Sequence, residues 1–231
     1  MTKRIVALGG GGFSMEPRNT LLDDFILGLT GRDRPRVCFL PTPSGDSSQY
    51  ITNFYGSFPP ARAVATHLPL FTRRPGEPRD LLLDQDVIYV GGGNTANALL
   101  VWRLHGIDKV LREAWERGIV LCGVSAGMIC WFEGSCTDSF GPLAALRDGL
   151  GFLPGSACPH YDAEIDRRPR YHEMLRAGLA GGHAADDGAA LHFEGTTLRE
   201  AISSRPNAKA YRVELVDGKI VERELPTRFL G

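Results

Sequence analysis

The sequence has no surplus of either charge: 26 Lys and Arg stand against 27 Asp and Glu, a net charge of −1 over 231 residues. That excludes a protein that binds nucleic acid by bulk charge, because phosphate affinity needs concentrated cations. Long apolar runs are also missing. The longest, from Gly118 to Phe132, is too short to span a bilayer and is broken by Gly123-Val124-Ser125-Ala126-Gly127. Lys3 and Arg4 are followed only by Ile5-Val6-Ala7-Leu8 before four glycines, far short of the apolar core of an export signal. The five cysteines, Cys38, Cys122, Cys130, Cys136 and Cys158, contain no CxxC pair and no zinc-ligand spacing. An odd set without an export signal reads as reduced core thiols. These absences predict a cytoplasmic protein that needs no membrane, nucleic acid, metal or cofactor.

The composition, 43% hydrophobic and 23% charged, is that of a globular chain. At this length folding buries roughly 70% of the extended chain's surface, so a large core forms without staples. Ile5–Leu8, Val37–Leu40, Val87–Val90 and Ile119–Cys122 are unbroken apolar runs, as expected of strands buried on both faces of a parallel sheet. Glycines close three of these four runs, and prolines close the other. Between them lie helical patterns. Ile107, Val110, Leu111, Ala114 and Trp115 form one apolar stripe ended by Gly118. Asn19 or Thr20 can cap a helix from Leu21 to Leu29, and Asn94 or Thr95 can cap one that ends at Gly106. The alternation predicts an α/β fold, a doubly wound and mostly parallel sheet with helices on both faces. Tyr211–Leu215 and Lys219–Leu225, joined through Asp217-Gly218, predict a C-terminal β-hairpin. No linker or repeat divides the chain, so residues 1–231 are expected to form a single domain.

The sharpest chemical signal is Gly123-Val124-Ser125-Ala126-Gly127, a G-x-S-x-G motif between an apolar strand and an apolar helix. A strand-to-helix turn this tight needs small neighbours and projects the serine hydroxyl above the sheet edge. The N–H of Ala126 would then point at a developing oxyanion. The alternative is a glycine-rich turn with an incidental serine. Among six histidines, His160 in Cys158-Pro159-His160-Tyr161-Asp162 stands at a strand-to-loop transition and is the favoured base. His105 precedes Gly106 as a helix end, His172 lies in an Arg-rich helical run and reads as solvated, and His192 can face either way. Gly91-Gly92-Gly93-Asn94-Thr95 offers bare backbone N–H groups, either to a reacting carbonyl or as a phosphate-cradling turn. Gly9 to Gly12 has neither a complete dinucleotide fingerprint nor a P-loop lysine, and reads as a turn lining the site.

In this order and spacing, Ala7-Leu8-Gly9-Gly10-Gly11-Gly12, Tyr89-Val90-Gly91-Gly92-Gly93-Asn94-Thr95, Ser125-Ala126-Gly127 and Pro159-His160-Tyr161 resemble the peptidase E and cyanophycinase family of serine peptidases. The resemblance implies a flavodoxin-like fold close to the class I glutamine amidotransferases, with serine at the elbow. It also implies a triad: Ser125 as nucleophile, His160 as base, and an acid that in the family is usually Glu before Gly. Here Asp186-Asp187-Gly188 stands at that place, so Asp187 is the match, one methylene shorter, unless the two aspartates only cap a turn. Asp138 resembles a second carboxylate of some members and could support the imidazole. Gly93 and Ala126 match the oxyanion-hole donors.

Peptidase E enzymes cleave dipeptides with an N-terminal aspartate through an arginine beyond the base. Arg167, Arg168 and Arg170 follow His160, and of these Arg167 and Arg170, with Asn94, are the expected substrate-binding residues. The implied partner is a short peptide, with a homodimer as the expected self-association. Cyanophycinase-like cleavage of β-Asp-Arg, or a non-catalytic small-molecule site, are the other readings.

Overall fold

A computed structural model describes residues 2–72 and 76–231. Its strands are β1 (Arg4–Leu8), β2 (Arg36–Leu40), β3 (Val64–His67), β4 (Val87–Val90), β5 (Val120–Val124), β6 (Phe132–Thr137) and β7 (Ala144–Leu146). The remaining strands are β8 (Leu153–Cys158), β9 (Gly182–Ala185), β10 (Ala189–Glu194), β11 (Thr197–Ser203), β12 (Ala210–Val216), β13 (Lys219–Leu225) and β14 (Thr227–Phe229). The helices are α1 (Gly12–Met15), α2 (Leu21–Gly28), α3 (Ser48–Ser57), α4 (Pro78–Leu83), α5 (Thr95–Leu104), α6 (Ile107–Glu116), α7 (Ala126–Ile129) and α8 (Arg167–Arg176).

The four apolar runs became β1, β2, β4 and β5, and with β3 they form a five-stranded parallel block of an eight-stranded sheet ordered β14-β11-β10-β1-β5-β4-β2-β3. Side chains along β1 alternate between two cores. Ile5 and Ala7 join Trp102, Leu111 and Trp115 of α5 and α6. Val6 and Leu8 join Leu22 and Ile26 of α2 and Phe54 of α3. This period of two, buried on both sides, is why the strands read as continuous apolar runs. The capping expectations hold in detail at α5, where Asn94 Oδ1 accepts the N–H of Asn97 at 2.9 Å. The hairpin also forms as read: Val216 pairs with Lys219 across Asp217 and Gly218, whose φ values of 50° and 75° define a type I′ turn.

A second sheet of six strands, ordered β13-β12-β9-β8-β6-β7, extends the expected architecture. Helix α8 packs on it, with Tyr171 and Leu175 against Cys136, Cys158 and Val213. The sheets meet along a seam at the C-terminal end of β1. His160 N–H, just beyond β8 of the second sheet, donates to the Gly9 carbonyl, just beyond β1 of the first, at 3.2 Å. Carboxyl ends of parallel strands are where open α/β sheets place ligands. No helix among the described residues is long and apolar enough to cross a membrane.

Behind the seam, Asp23 of α2 is buried beside the Tyr89 hydroxyl. Burial pushes the Asp23 carboxyl from its ordinary 3.8 up to about 7, against the lowering pull of Arg62. A carboxyl whose pKa is raised by folding is cost-free when protonated in both states and a burden once ionised in both. Its ionisation therefore destabilises the fold increasingly as pH climbs from about 4 to about 7. Asp23→Asn is expected to match the wild-type unfolding free energy at pH 4 and to exceed it at pH 8 by on the order of a few kcal/mol. Thermal unfolding across that range checks this, and a difference that narrowed with rising pH would contradict it.

Candidate active site

The elbow begins where β5 runs into α7. Ser125 takes φ 56° and ψ −107°, a conformation disfavoured for a residue with a side chain, and its N–H is anchored on the Leu8 carbonyl at 3.0 Å. The flanking glycines are steric requirements. A Cβ at Gly123 would lie 2.6 Å from the Gly127 carbonyl oxygen, and one at Gly127 would run into the Val90 carbonyl. Beyond the turn, the N–H of Ala126 belongs to the first turn of α7, where no intrahelical acceptor exists.

Strand β8 delivers His160, also at positive φ (51°), into the same cleft. The loop from β9 to β10 delivers Asp187. Its Oδ1 lies 2.6 Å from His160 Nδ1, and both side chains are largely buried, at 9% and 15% exposure. Of the candidate acids, Asp187 is therefore the one that meets the imidazole. Its backbone is fixed from the other side, since Asp187 N–H donates to Asp162 Oδ1 at 2.8 Å. Gly10 pairs with Asp187 across the seam, and a Cβ there would collide with the Asp187 carboxylate. The Gly9–Gly12 turn thus seats the Asp187 carboxylate. A displacement of about 1 Å in a catalytic group costs roughly 100-fold in rate. Gly10→Ala is accordingly expected to lower kcat by about that factor, checked by steady-state kinetics on the folded variant; unchanged turnover would show that the contact does not matter.

Asp186, one residue earlier, faces away. Its Oδ2 accepts the Lys209 N–H at 2.9 Å, and burial raises its pKa to about 6. It is a brace between β9 and β12. Asp138 does not touch the imidazole either, contrary to the supporting role expected for it. It is 61% exposed and faces Arg167 Nη2 at 3.7 Å.

The cleft of about 270 Å³ is lined by Gly93, Asn94, Ser125, Asp138, Ser139, His160, Glu164 and Arg167. Gly93 sits at φ 132° under Pro43, where a Cβ would strike the Pro43 carbonyl. On either side of it the loop's N–H groups are spent, Gly92 on Tyr50 Oη at 3.1 Å and Asn94 on the Pro43 carbonyl at 2.7 Å. Asn94 itself builds the wall instead of reaching for a ligand. Its Oδ1 caps α5, and its Nδ2 donates to the Ser139 carbonyl at 2.9 Å.

The three arginines separate cleanly. Arg167 opens α8 as a buried guanidinium in the cleft wall. Arg168 lies over the rings of Tyr161 and Tyr211 at 4.6 and 5.0 Å. Arg170, expected at the substrate, is not brought to the cleft. It pairs with Glu173 at 2.9 Å on the open face of α8, one turn from Arg167 and pointing elsewhere.

His172 is not solvated as expected: its Nε2 lies 3.0 Å from both Tyr161 Oη and Glu222 Oε2. That cluster backs the His160 loop. His192 is buried against Phe25, and desolvation lowers its pKa.

The profile of peptidase family S51 matches residues 5–201. The uncharacterized peptidase YgaJ of Bacillus subtilis (strain 168) is 54% identical over 230 residues, covering 99% of this chain and 100% of that protein. Two crystal structures share the fold at low identity. One, described as a "putative peptidase E protein" from Listeria monocytogenes EGD-e, has a TM-score of 0.63 at 17% identity, covering 97% of this chain and 100% of its own. The other, a peptidase from an acI-B1 Actinobacterium, has a TM-score of 0.69 at 16% identity, covering 97% and 98%.

Proposed function

The chain belongs to peptidase family S51, and we propose that it is a serine peptidase acting on short peptides, foremost dipeptides with an N-terminal aspartate. The observation that carries this reading is the 2.6 Å contact of Asp187 with His160 Nδ1 in the cleft that also holds Ser125. Ser125 Oγ attacks the scissile carbonyl while His160 Nε2 accepts its proton. Asp187 keeps the other ring proton on Nδ1 and stabilises the imidazolium. The N–H groups of Gly93 and Ala126 receive the oxyanion. His160 then returns the proton to the leaving amine, the C–N bond breaks, and an acyl-Ser125 ester remains for water to hydrolyse by the same route.

Asp187 is short for a family position usually held by Glu. The bare backbone of Gly10 lets its carboxylate come within reach of the ring, which compensates for the missing methylene. Arg167 is the group suited to an acidic N-terminal side chain, because a guanidinium matches a carboxylate two-for-two. The five buried cysteines, none of them in a disulfide, suit a reducing cytoplasm.

A panel of Asp-X, β-Asp-X and neutral dipeptides tests the assignment. Hydrolysis of Asp-X well above the other two is expected. Preference for β-Asp-Arg would move the chain to cyanophycinase-like specificity, and equal rates on all would remove the aspartate preference.

A further inference from the structure

We propose that Glu164 gates the substrate specificity of this cleft: its carboxylate fills the fork of Arg167 until substrate binds and is then exchanged for the acidic group of the incoming N-terminal residue. The substrate class rests on the peptidase reading above, while the role of Glu164 rests on the geometry of this wall.

Arg167 is not a vacant receptor. Its Nε donates to Glu164 Oε2 at 2.6 Å and its Nη2 to Glu164 Oε1 at 3.2 Å, the two-pronged geometry a substrate carboxylate would need. Nη1 is directed at the Cys136 carbonyl at 3.5 Å, and Asp138 stands 3.7 Å from Nη2. The guanidinium is held at 3% exposure, where a cation without a counter-charge is strongly unfavourable. Burial, the largest single influence, would lower its pKa, but the hydrogen bond and charge of Glu164 together with the neighbouring Cys158 and Cys136 hold it raised.

The two partners differ in freedom. Arg167 is enclosed by β6 and the cleft wall, whereas Glu164 is 46% exposed on the short segment between His160 and α8. Glu164 is the partner that can turn out to water. Asp138, Glu164 and Arg167 carry formal charges that sum to −1. A substrate carboxylate added to this set unchanged would place three carboxylates around one guanidinium, which like-charge repulsion opposes. Exchange avoids it, because Arg167 keeps a forked carboxylate before, during and after binding. A neutral N-terminal residue offers nothing to exchange and finds the fork closed. On this account Glu164 sets the affinity for the acid by competing with it.

Glu164→Gln keeps the shape and removes the competing charge. The variant is expected to lower KM for Asp-Leu about tenfold, the effect of one weakened charge-assisted hydrogen bond, without a matching fall for Ala-Leu. Titration of free L-aspartate by calorimetry should show a Kd reduced by a similar factor, and Glu164→Ala should move both quantities in the same direction. Thermal unfolding of each variant establishes that it is folded. A higher KM for Asp-Leu, or equal shifts for Asp-Leu and Ala-Leu, would overturn the exchange. If no dipeptide is hydrolysed by wild type or variants, the peptidase reading fails. The L-aspartate titration then still decides the matter, with tighter binding in Glu164→Gln supporting it and unchanged, weaker or absent binding overturning it.

Discussion

Ser125→Ala is expected to reduce kcat/KM for Asp-X dipeptides by about 10⁴- to 10⁶-fold, the usual consequence of deleting a triad nucleophile. The residual rate would come from substrate positioning and the oxyanion donors. Stability should barely change, because Ala carries the same Cβ at the same φ of 56°. That backbone gives the substitution a companion with the opposite signature. Ser125→Gly should be equally inactive yet more stable by about 1 kcal/mol, since glycine occupies the positive-φ region without steric penalty. Activity of Ser125→Ala within tenfold of wild type would end the account of Ser125 as nucleophile.

The three aspartates near the site should separate by the quantity each one moves. Asp187→Ala is expected to lower kcat by about 10⁴, because His160 loses the group that fixes its tautomer and orientation. Asp186→Ala should act on the melting temperature, since its carboxylate holds the Lys209 N–H between β9 and β12. Asp138→Ala should act on KM for acidic substrates, because it faces Arg167 and not the imidazole. Steady-state kinetics with thermal unfolding of the three variants checks the pattern. A nearly silent Asp187→Ala beside a crippled Asp138→Ala would reverse the assignment of the acid.

Much of this site was legible before the structure because backbone sterics leave marks in sequence. The elbow needs Gly123 and Gly127 where carbonyls crowd the turn, and the I′ hairpin needs Asp217-Gly218 where φ is positive. The first sheet declared itself through strands buried on both faces. The second did not. Gly182-His183-Ala184-Ala185 and Leu153–Cys158 are rich in small residues, so β8 and β9 have no apolar run to advertise them. Their burial comes from α8 and the neighbouring sheet.

The roles of single polar residues were the least visible. Arg167 and Arg170 look alike in the sequence, and only the packing of α8 decides that one is enclosed and the other exposed. Asn94 was read both as a cap and as a ligand group; the cap and Ser139 use both ends of its amide. Glu164, Asp162 and Ser139 were missed altogether. For the first two the available signal was their position, four and two residues beyond the base in His160-Tyr161-Asp162-Ala163-Glu164. Acidic residues in such a turn ordinarily face water, so their spacing alone does not mark them.

The most direct measurement of the central claim is chemical. During turnover of an aspartyl anilide, rapid acid quench followed by peptide mapping in a mass spectrometer should find an aspartyl ester on Ser125. The ester should be absent from Ser125→Ala and should accumulate as a burst of the aniline is released. An adduct on another residue, or a burst with no ester on Ser125, would contradict the mechanism.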